Sequence, residues 1–332
     1  MLTDSYLRKH DYLRVSITDK CNLRCAYCMP PEGIPFLAHD EVLRNEEFAR
    51  LIGIFVEMGI TKIRFTGGEP LIRKGLMNII EETRIRFPGL ELALTTNGIL
   101  LDEFLDDLHR LRVQKLNISL DTLSPVRFLE VTRRDELPTV LANIDRALER
   151  KFFDIKLNAV LFKETLEELE DLLVYAGERD IVFRFIERMP FSDSDLAASF
   201  ISSDLLLEKI SRMGVMIRND SRDTAVSNRY DLRMGSGLLV KIGVIPSITH
   251  KFCASCNRLR LTADGSLKTC LHSAVEHDLK KALRSGSSDD ELKAIIMGAV
   301  KDKQGSHKLD CYSADGGCAA VVNSRTMSKI GG

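Results

Sequence analysis

The chain has 332 residues, 44% hydrophobic and 29% charged, the proportions of a globular protein rather than a disordered or fibrous one. Forty-seven basic residues meet 48 acidic ones, giving a net charge of −1 without the basic excess that general nucleic-acid binding needs. No apolar run approaches the roughly 18 residues of a membrane span, and Met1 to Leu13 is charged throughout, unlike a signal peptide. The expectation is a soluble cytoplasmic protein with no membrane and no nucleic acid among its partners.

Six runs of strand character precede residue 190: Leu13 to Thr18, Ile63 to Thr66, Leu92 to Thr95, Leu116 to Leu120, Ile155 to Leu161 and Ile181 to Ile186. Helical spacing fills the intervals. Phe48, Leu51, Ile52 and Phe55 recur at i, i+3, i+4 and i+7, as do Leu169, Leu172, Leu173 and Ala176, with weaker stripes at Leu76 to Ile80, Phe104 to Leu111 and Val140 to Leu148. Strand–helix alternation demands crossovers, hence a parallel sheet with helices outside. Six units fall short of a closed eight-stranded barrel. The expected fold is α/β, a partial (β/α)6 barrel over residues 5–225 followed by a C-terminal α+β domain over 226–332. The polar, serine-rich stretch from Ser192 to about Asp223, built around one helix at Asp204 to Met213, marks the boundary. Beyond it, Leu238 to Ile245 reads as a strand and Asp289 to Val300 as a helix.

Strand parity is more informative than strand existence. One face of each run is apolar: Leu13, Val15, Ile17; Ile63, Phe65; Leu92, Leu94; Leu116, Ile118, Leu120; Ile155, Leu157, Ala159; Ile181, Phe183, Phe185. Alternate residues face oppositely, so the other face carries Arg14, Ser16, Arg64, Thr66, Thr95, Asn117, Ser119, Lys156, Asn158 and Arg184. The apolar face meets the helices and the polar face lines the interior. Burying unpartnered cations from four strands would cost several kcal/mol each; a wet cavity that receives an anionic ligand resolves that cost, while a solvated face of an open sheet is the blander alternative.

Six of the eight cysteines fall in two triplets, and none lies between residues 29 and 252. A reducing cytosol makes disulfides a poor explanation, and short spacings point to metal or catalytic sites. Cys21, Cys25 and Cys28 form CxxxCxxC after the first strand, at the barrel end where active sites gather. Three thiolates can hold three irons of a [4Fe–4S] cluster and leave the fourth open; structural zinc wants four closed ligands, and only His10 and His39 are near in sequence. Cys253, Cys256 and Cys270 form the second triplet, where His272 offers a fourth ligand, so spacing alone leaves zinc and iron–sulfur both open. Arg258 and Arg260 follow Cys256 and put two cations beside that metal. Cys311 and Cys318 belong to neither triplet and read as free thiols.

CxxxCxxC with Tyr27 before the last cysteine resembles the radical S-adenosylmethionine superfamily, and Gly67-Gly68-Glu69-Pro70 after the second strand is similar to its glycine-rich motif. That resemblance implies a [4Fe–4S] cluster on Cys21, Cys25 and Cys28 whose open iron chelates S-adenosyl-L-methionine, with cofactor contacts from Tyr27, Gly68, Ser119 and Met189. It also implies one-electron cleavage of the cofactor to a 5′-deoxyadenosyl radical. Within the superfamily, the runs Tyr12 to Cys21, Cys28-Met-Pro30, Lys62 to Gly68 and Phe252 to Arg260, with the terminal Gly331-Gly332, resemble the molybdenum-cofactor biosynthesis MoaA family, the GTP 3′,8-cyclases.

By that resemblance the second triplet also carries a [4Fe–4S] cluster, whose unique iron binds the guanine of GTP. Arg14, Arg64, Thr95, Lys156, Arg184, Arg258 and Arg260 are then substrate contacts, with Arg258 and Arg260 the catalytic pair. The implied reaction removes the ribose 3′ hydrogen of GTP and joins that carbon to carbon 8 of guanine, giving 3′,8-cyclo-7,8-dihydro-GTP. The implied partners are a low-potential electron donor and a downstream pyranopterin monophosphate synthase, and the oligomeric state stays open between monomer and homodimer. The Gly-Gly end resembles the family's flexible tail, which enters the active-site pocket. Tyr6-Leu7-Arg8 departs from the family's aromatic-Gly-Arg, and from His272 to Lys329 the resemblance is thin. Two other functions fit parts of the pattern: a radical S-adenosylmethionine peptide modifier with an auxiliary cluster, and a zinc-ribbon or electron-transfer scaffold. The first would not need Arg258-Leu-Arg260 or the glycine tail, and the second leaves the cationic interior unexplained.

Overall fold

The computed structural model describes residues 1–189, 200–219, 226–307 and 325–331. The serine-rich segment read as a boundary lies partly outside these, as do Cys311, Cys318 and Gly332. The strands of the six units are β3 (Tyr12–Ser16), β4 (Lys62–Thr66), β5 (Glu91–Thr96), β6 (Lys115–Ser119), β7 (Asp154–Val160) and β8 (Val182–Ile186), after a small N-terminal hairpin of β1 (Leu2–Thr3) and β2 (Lys9–His10). They lie side by side in chain order and every pair is parallel. Between them run α1 (Asn45–Glu57), α2 (Leu76–Arg86), α3 (Leu101–Arg110), α4 (Pro125–Thr132), α5 (Leu137–Glu149), α6 (Lys163–Glu167) and α7 (Leu169–Glu178). α4 has no apolar stripe long enough to be read from sequence; Ser124 caps it, accepting from Arg127 N, and Pro125 opens its first turn, where a missing N–H does no harm.

Parity sorts the side chains as expected. Leu13, Val15, Ile63, Phe65, Leu116, Ile118, Leu157, Phe183 and Phe185 are fully buried in the apolar layer under the helices. That layer is the core, and it leaves the opposite face of the sheet to the site.

The sheet does not stop at six strands. β9 (Gly214–Asn219), β10 (Asn228–Met234), β11 (Leu239–Ile245), β12 (Arg258–Leu261), β13 (Ser266–Lys268) and β14 (His277–Asp278) extend it to 12, in the order β14-β13-β12-β3-β4-β5-β6-β7-β8-β11-β10-β9. β11 joins β8 in parallel and β12 joins β3 in parallel, so the chain beyond residue 226 lengthens the parallel row at both ends. The outer strands are antiparallel. Among the described residues the sheet is open, and no helix is long and apolar enough to cross a membrane.

Candidate active site

A cavity of about 630 Å³ runs along the inner face of the parallel strands. Its walls include residues from strand beginnings (Tyr12, Lys62, Glu91) and from the turns after strand ends (Cys21, Gly68, Asn97, Asp121). Both cysteine triplets border it. Cys21, Cys25 and Cys28 follow the C-terminal end of β3. Cys256 precedes β12, whose Arg258 stands beside Tyr12 at the start of β3. The two triplets therefore stand at opposite ends of one cavity, with the strands between them.

The first triplet is held by backbone that tolerates no side chain. Gly68 N donates to Thr18 O at 2.8 Å and Glu69 N to Lys20 O at 2.8 Å, so the glycine-rich turn pairs with the chain leading into Cys21. A Cβ on Gly68 would lie 2.2 Å from Lys20 O, and one on Gly67 2.6 Å from Thr18 O. Glycine is thus required for close approach of two backbones. Glu69 turns inward beneath them, accepting from Leu71 N, Asn97 N and Thr96 Oγ1, and burial pushes its carboxyl up to about 7. Asn97 Nδ2 donates to Cys21 Sγ at 3.9 Å. Tyr27 donates its hydroxyl to Asp121 Oδ2 at 2.8 Å, and Asp121 Oδ1 accepts from Val160 N at 2.8 Å.

Burial raises the Cys21 thiol to about 11, with the Glu69 charge adding to it, and raises Cys25 well above its usual range together with its cysteine neighbours. Three half-buried thiols side by side, with no cation among the causes at Cys21 and Cys25, are a donor set that suits a cationic metal group. The second triplet differs. Burial alone would raise Cys253 and Cys256, yet contacts from His307 bring Cys253 down to about 6, and Lys303 and Arg258 bring Cys256 below its usual value. Cys270 stays raised by burial. Among the described residues no three His, Cys, Asp or Glu side chains converge as ligands of one ion; a cubane asks instead for one thiolate on each of three irons. His272, the candidate fourth zinc ligand, directs Nε2 at Met189 Sδ, 3.3 Å away. The donor sets at both ends fit a three-thiolate iron–sulfur cluster.

Between the triplets lie the cations. Strand register aligns Arg260 with Arg14 and Arg14 with Arg64. Arg64 Nε donates to Tyr12 Oη at 2.9 Å and Nη1 to Leu94 O at 2.6 Å. Arg260 Nη1 donates to Gly331 O at 2.5 Å, which draws the C-terminal tail over this row. Across the cavity, Gly243 on β11 makes room for Arg184: a Cβ there would lie 2.5 Å from Arg184 Cγ. Arg184 is 7% exposed, and its Nε and Nη2 find no hydrogen-bond partner among the described residues. Burial and mutual repulsion depress these guanidiniums, Arg14 to about 10 and Arg184 and Arg260 to about 9. Buried cations in this state form an anion site.

Of the residues singled out from sequence, Arg14, Arg64, Thr95, Arg184, Arg258, Arg260, Tyr27, Gly68, Ser119, Met189 and all six cysteines border the cavity. Lys156 is not among the residues of its wall; the side chain is buried, with its ammonium 3.4 Å from Asp154 Oδ2. Tyr12 was missed, although the parity that selects Arg14 places it two residues earlier on the same face. Burial would raise its hydroxyl, but Arg64, Arg14, Arg258 and Lys62 together bring it down to about 7. His307 and Lys303 had no signal, since they fall where the resemblance is thin.

Comparison with known proteins agrees with this geometry. Residues 15–176 match the Radical SAM superfamily and residues 181–309 match Molybdenum Cofactor Synthesis C. The GTP 3′,8-cyclase of Peptoclostridium acidaminophilum is 42% identical over 339 residues, covering 100% of this chain and 98% of that protein. The chain belongs to the GTP 3′,8-cyclase family of radical S-adenosylmethionine proteins. The GTP 3′,8-cyclase of Desulforamulus reducens is 39% identical with full coverage of both, and Molybdenum cofactor biosynthesis protein 1 of Dictyostelium discoideum is 41% identical over 92% of this chain and 49% of its own length. Among solved structures, Streptococcus suis SuiB bound to S-adenosylmethionine superposes with a TM-score of 0.58 at 14% identity, over 83% of this chain and 64%, less than two thirds, of that one. At that identity the likeness establishes the fold.

Proposed function

We propose that this protein is a GTP 3′,8-cyclase, converting GTP to 3′,8-cyclo-7,8-dihydro-GTP at the first step of molybdenum-cofactor biosynthesis. The observation that carries the reading is the cavity itself: two three-cysteine sites at its ends and a buried row of guanidiniums between them. Two [4Fe–4S] clusters, on Cys21, Cys25 and Cys28 and on Cys253, Cys256 and Cys270, together with S-adenosyl-L-methionine, supply when bound the one-electron chemistry that removes the ribose hydrogen.

The chain's own residues do the rest. Arg14, Arg64, Arg184, Arg258 and Arg260 clamp the triphosphate through charge-assisted bonds, roughly twice as strong as neutral ones and stronger again where water is excluded. Arg184 Nε and Nη2, which find no partner among the described residues, offer their protons to a phosphate oxygen. Fixing both ends of one nucleotide holds ribose carbon 3 against guanine carbon 8, and such positioning is worth about 7–11 kcal/mol in favourable systems. Thr95 adds a hydroxyl to the wall, and Tyr27, Gly68, Ser119 and Met189 border the space for the cofactor. Lys156 holds its ammonium 3.4 Å from Asp154 Oδ2 on its own strand and stays out of the cavity lining. A low-potential electron donor and a downstream pyranopterin monophosphate synthase in the cytoplasm complete the reading.

Anaerobic reconstitution followed by incubation with S-adenosylmethionine, reductant and GTP tests it. About eight irons per chain and 5′-deoxyadenosine formed only when GTP is present are expected. Four irons plus one zinc, or cofactor cleavage indifferent to GTP, would sink it.

A further inference from the structure

The second cysteine triplet has a buried lysine behind it. The helix Asp289–Lys301 ends on Asp302, and the chain then turns inward, Lys303 N donating to Val300 O at 3.2 Å. Lys303 is only 3% exposed. Lysine is almost never buried this far unless it is paired, and its three ammonium protons have three destinations: Arg258 O at 2.7 Å, Cys256 Sγ at 3.6 Å and His10 Nδ1 at 3.5 Å. None is a carboxylate. The negative charges that oppose its desolvation are those of Cys256 and Cys270. Its counter-ion is therefore the metal site.

The surroundings keep the ammonium there. Accepting from Lys303 at Nδ1 leaves His10 its proton on Nε2, which donates to Asp4 Oδ2 at 3.0 Å. Asp4 also accepts from Arg8 Nε at 2.6 Å. Arg8 Nη1 donates to Cys253 O at 2.7 Å and to Gly305 O at 2.9 Å, and Nη2 to Gln304 O at 2.7 Å. The N-terminal hairpin thus clamps the cysteine turn to the segment that carries Lys303, and none of Asp4, Arg8, His10 and Lys303 lines the cavity. The lysine neither lines the cavity nor reaches the surface.

We propose that Lys303 is a positioning residue of the second iron–sulfur cluster, its ammonium bonded to the Cys256 thiolate so that the cluster accepts an electron at a higher potential than it otherwise would. Net charge and hydrogen bonds to sulfur are what set such potentials, and a buried cation on a ligating sulfur favours the more negative, reduced form. The inference rests on the two-cluster reading above.

The test is an anaerobic redox titration of the reconstituted holoenzyme followed by electron paramagnetic resonance, on wild type and on Lys303→Met, Lys303→Gln and Lys303→Arg. The signal that S-adenosylmethionine perturbs reports the first triplet; the other reports the second. In Lys303→Met the second midpoint shifts to more negative potential, in Lys303→Gln it shifts less because a neutral donor remains, and in Lys303→Arg it returns toward wild type. The first midpoint stays fixed in all three. An unmoved second midpoint in fully loaded Lys303→Met enzyme overturns the proposal. Loss of the second cluster's irons in all three variants also overturns it, by making Lys303 an assembly residue only. A single cluster signal in wild type is a different failure, of the two-cluster reading itself, and takes the proposal with it.

Discussion

Arg184 is buried, charged and short of partners, a combination that destabilises a folded chain until something anionic arrives. Replacing it with an apolar side chain of similar length should move stability and activity in opposite directions. Arg184→Met is expected to unfold at a higher temperature without GTP, by on the order of 1 kcal/mol, and to lose about 10- to 100-fold in kcat/KM, the worth of a charge-assisted bond. Calorimetry and steady-state kinetics on one preparation check both, and a drop in both would show that the guanidinium is structural. Leu7 offers a gain with no such trade. It sits at φ +63°, the left-handed region that favours glycine, and it is 84% exposed, so its side chain contributes little packing. The left-handed conformation costs about 1 kcal/mol for a non-glycine residue, part of which glycine's larger unfolded-state entropy offsets. Leu7→Gly should therefore gain about 0.5 kcal/mol in denaturant unfolding, and Leu7→Ala, which keeps the strained φ, should not. Arg14, Arg64 and Arg184 were legible from strand parity alone. Lys156 shares that parity and pairs in register with Asn117 of the wall, yet its ammonium lies beside Asp154 and not in the lining, because alternation reports which face a side chain takes and not where its end reaches.

At the scale of elements, the six strand–helix units were readable because each buries one face, which writes the alternation into the sequence. That β11 and β12 join the same sheet was not. Arg258-Leu259-Arg260-Leu261 carries the same alternation, but over four residues, and nothing local records that a strand this late pairs with β3. The C-terminal part is also tied to the barrel's first helix. Arg284 donates to both carboxylate oxygens of Glu47, at 2.8 and 3.0 Å, while Glu47 closes the capping box of α1 by accepting from Arg44 N at 2.7 Å. The hydrogen bonds from Arg284, helped by Arg44 and opposed by burial, hold the Glu47 carboxyl down to about 2 against 4.5 unfolded. A depressed acid contributes stability that is complete above its unfolded value and is lost as pH falls through the folded one. Thermal midpoints measured from pH 5 to pH 2.5 should therefore fall more steeply in wild type than in Glu47→Gln, the two curves converging at the acid end. Parallel curves would deny this link any part in acid stability.

For the molecule as a whole, a net charge of −1 says nothing of the ligand, since Arg14, Arg64, Arg184 and Arg260 are buried together along one face of the sheet whatever the overall balance. The same inward concentration explains what the C-terminus does. Gly331 takes φ +85°, with its carbonyl accepting from Arg260, and a Cβ there would lie 2.7 Å from Ser16 Cβ and 3.1 Å from Thr66 Cγ2. The tail thus lies against the side chains of Ser16 on β3 and Thr66 on β4, so closely that only glycine fits, and it delivers a carbonyl dipole to the buried Arg260 guanidinium. Two variants separate its roles. Gly331→Ala must displace the tail, because neither backbone φ nor the surrounding side chains can admit a methyl group. Deleting Gly331-Gly332 removes the carbonyl without any clash. If the tail orients Arg260 toward substrate, both variants lose about 10-fold or more in kcat/KM, as expected for one charge-assisted bond, while iron content and thermal midpoint stay close to wild type because the core layer lies on the other face of the sheet. If the tail is only packing, the truncated enzyme keeps full activity and Gly331→Ala alone loses stability. Kinetics with GTP, iron analysis and a melting curve on the two variants decide between those outcomes.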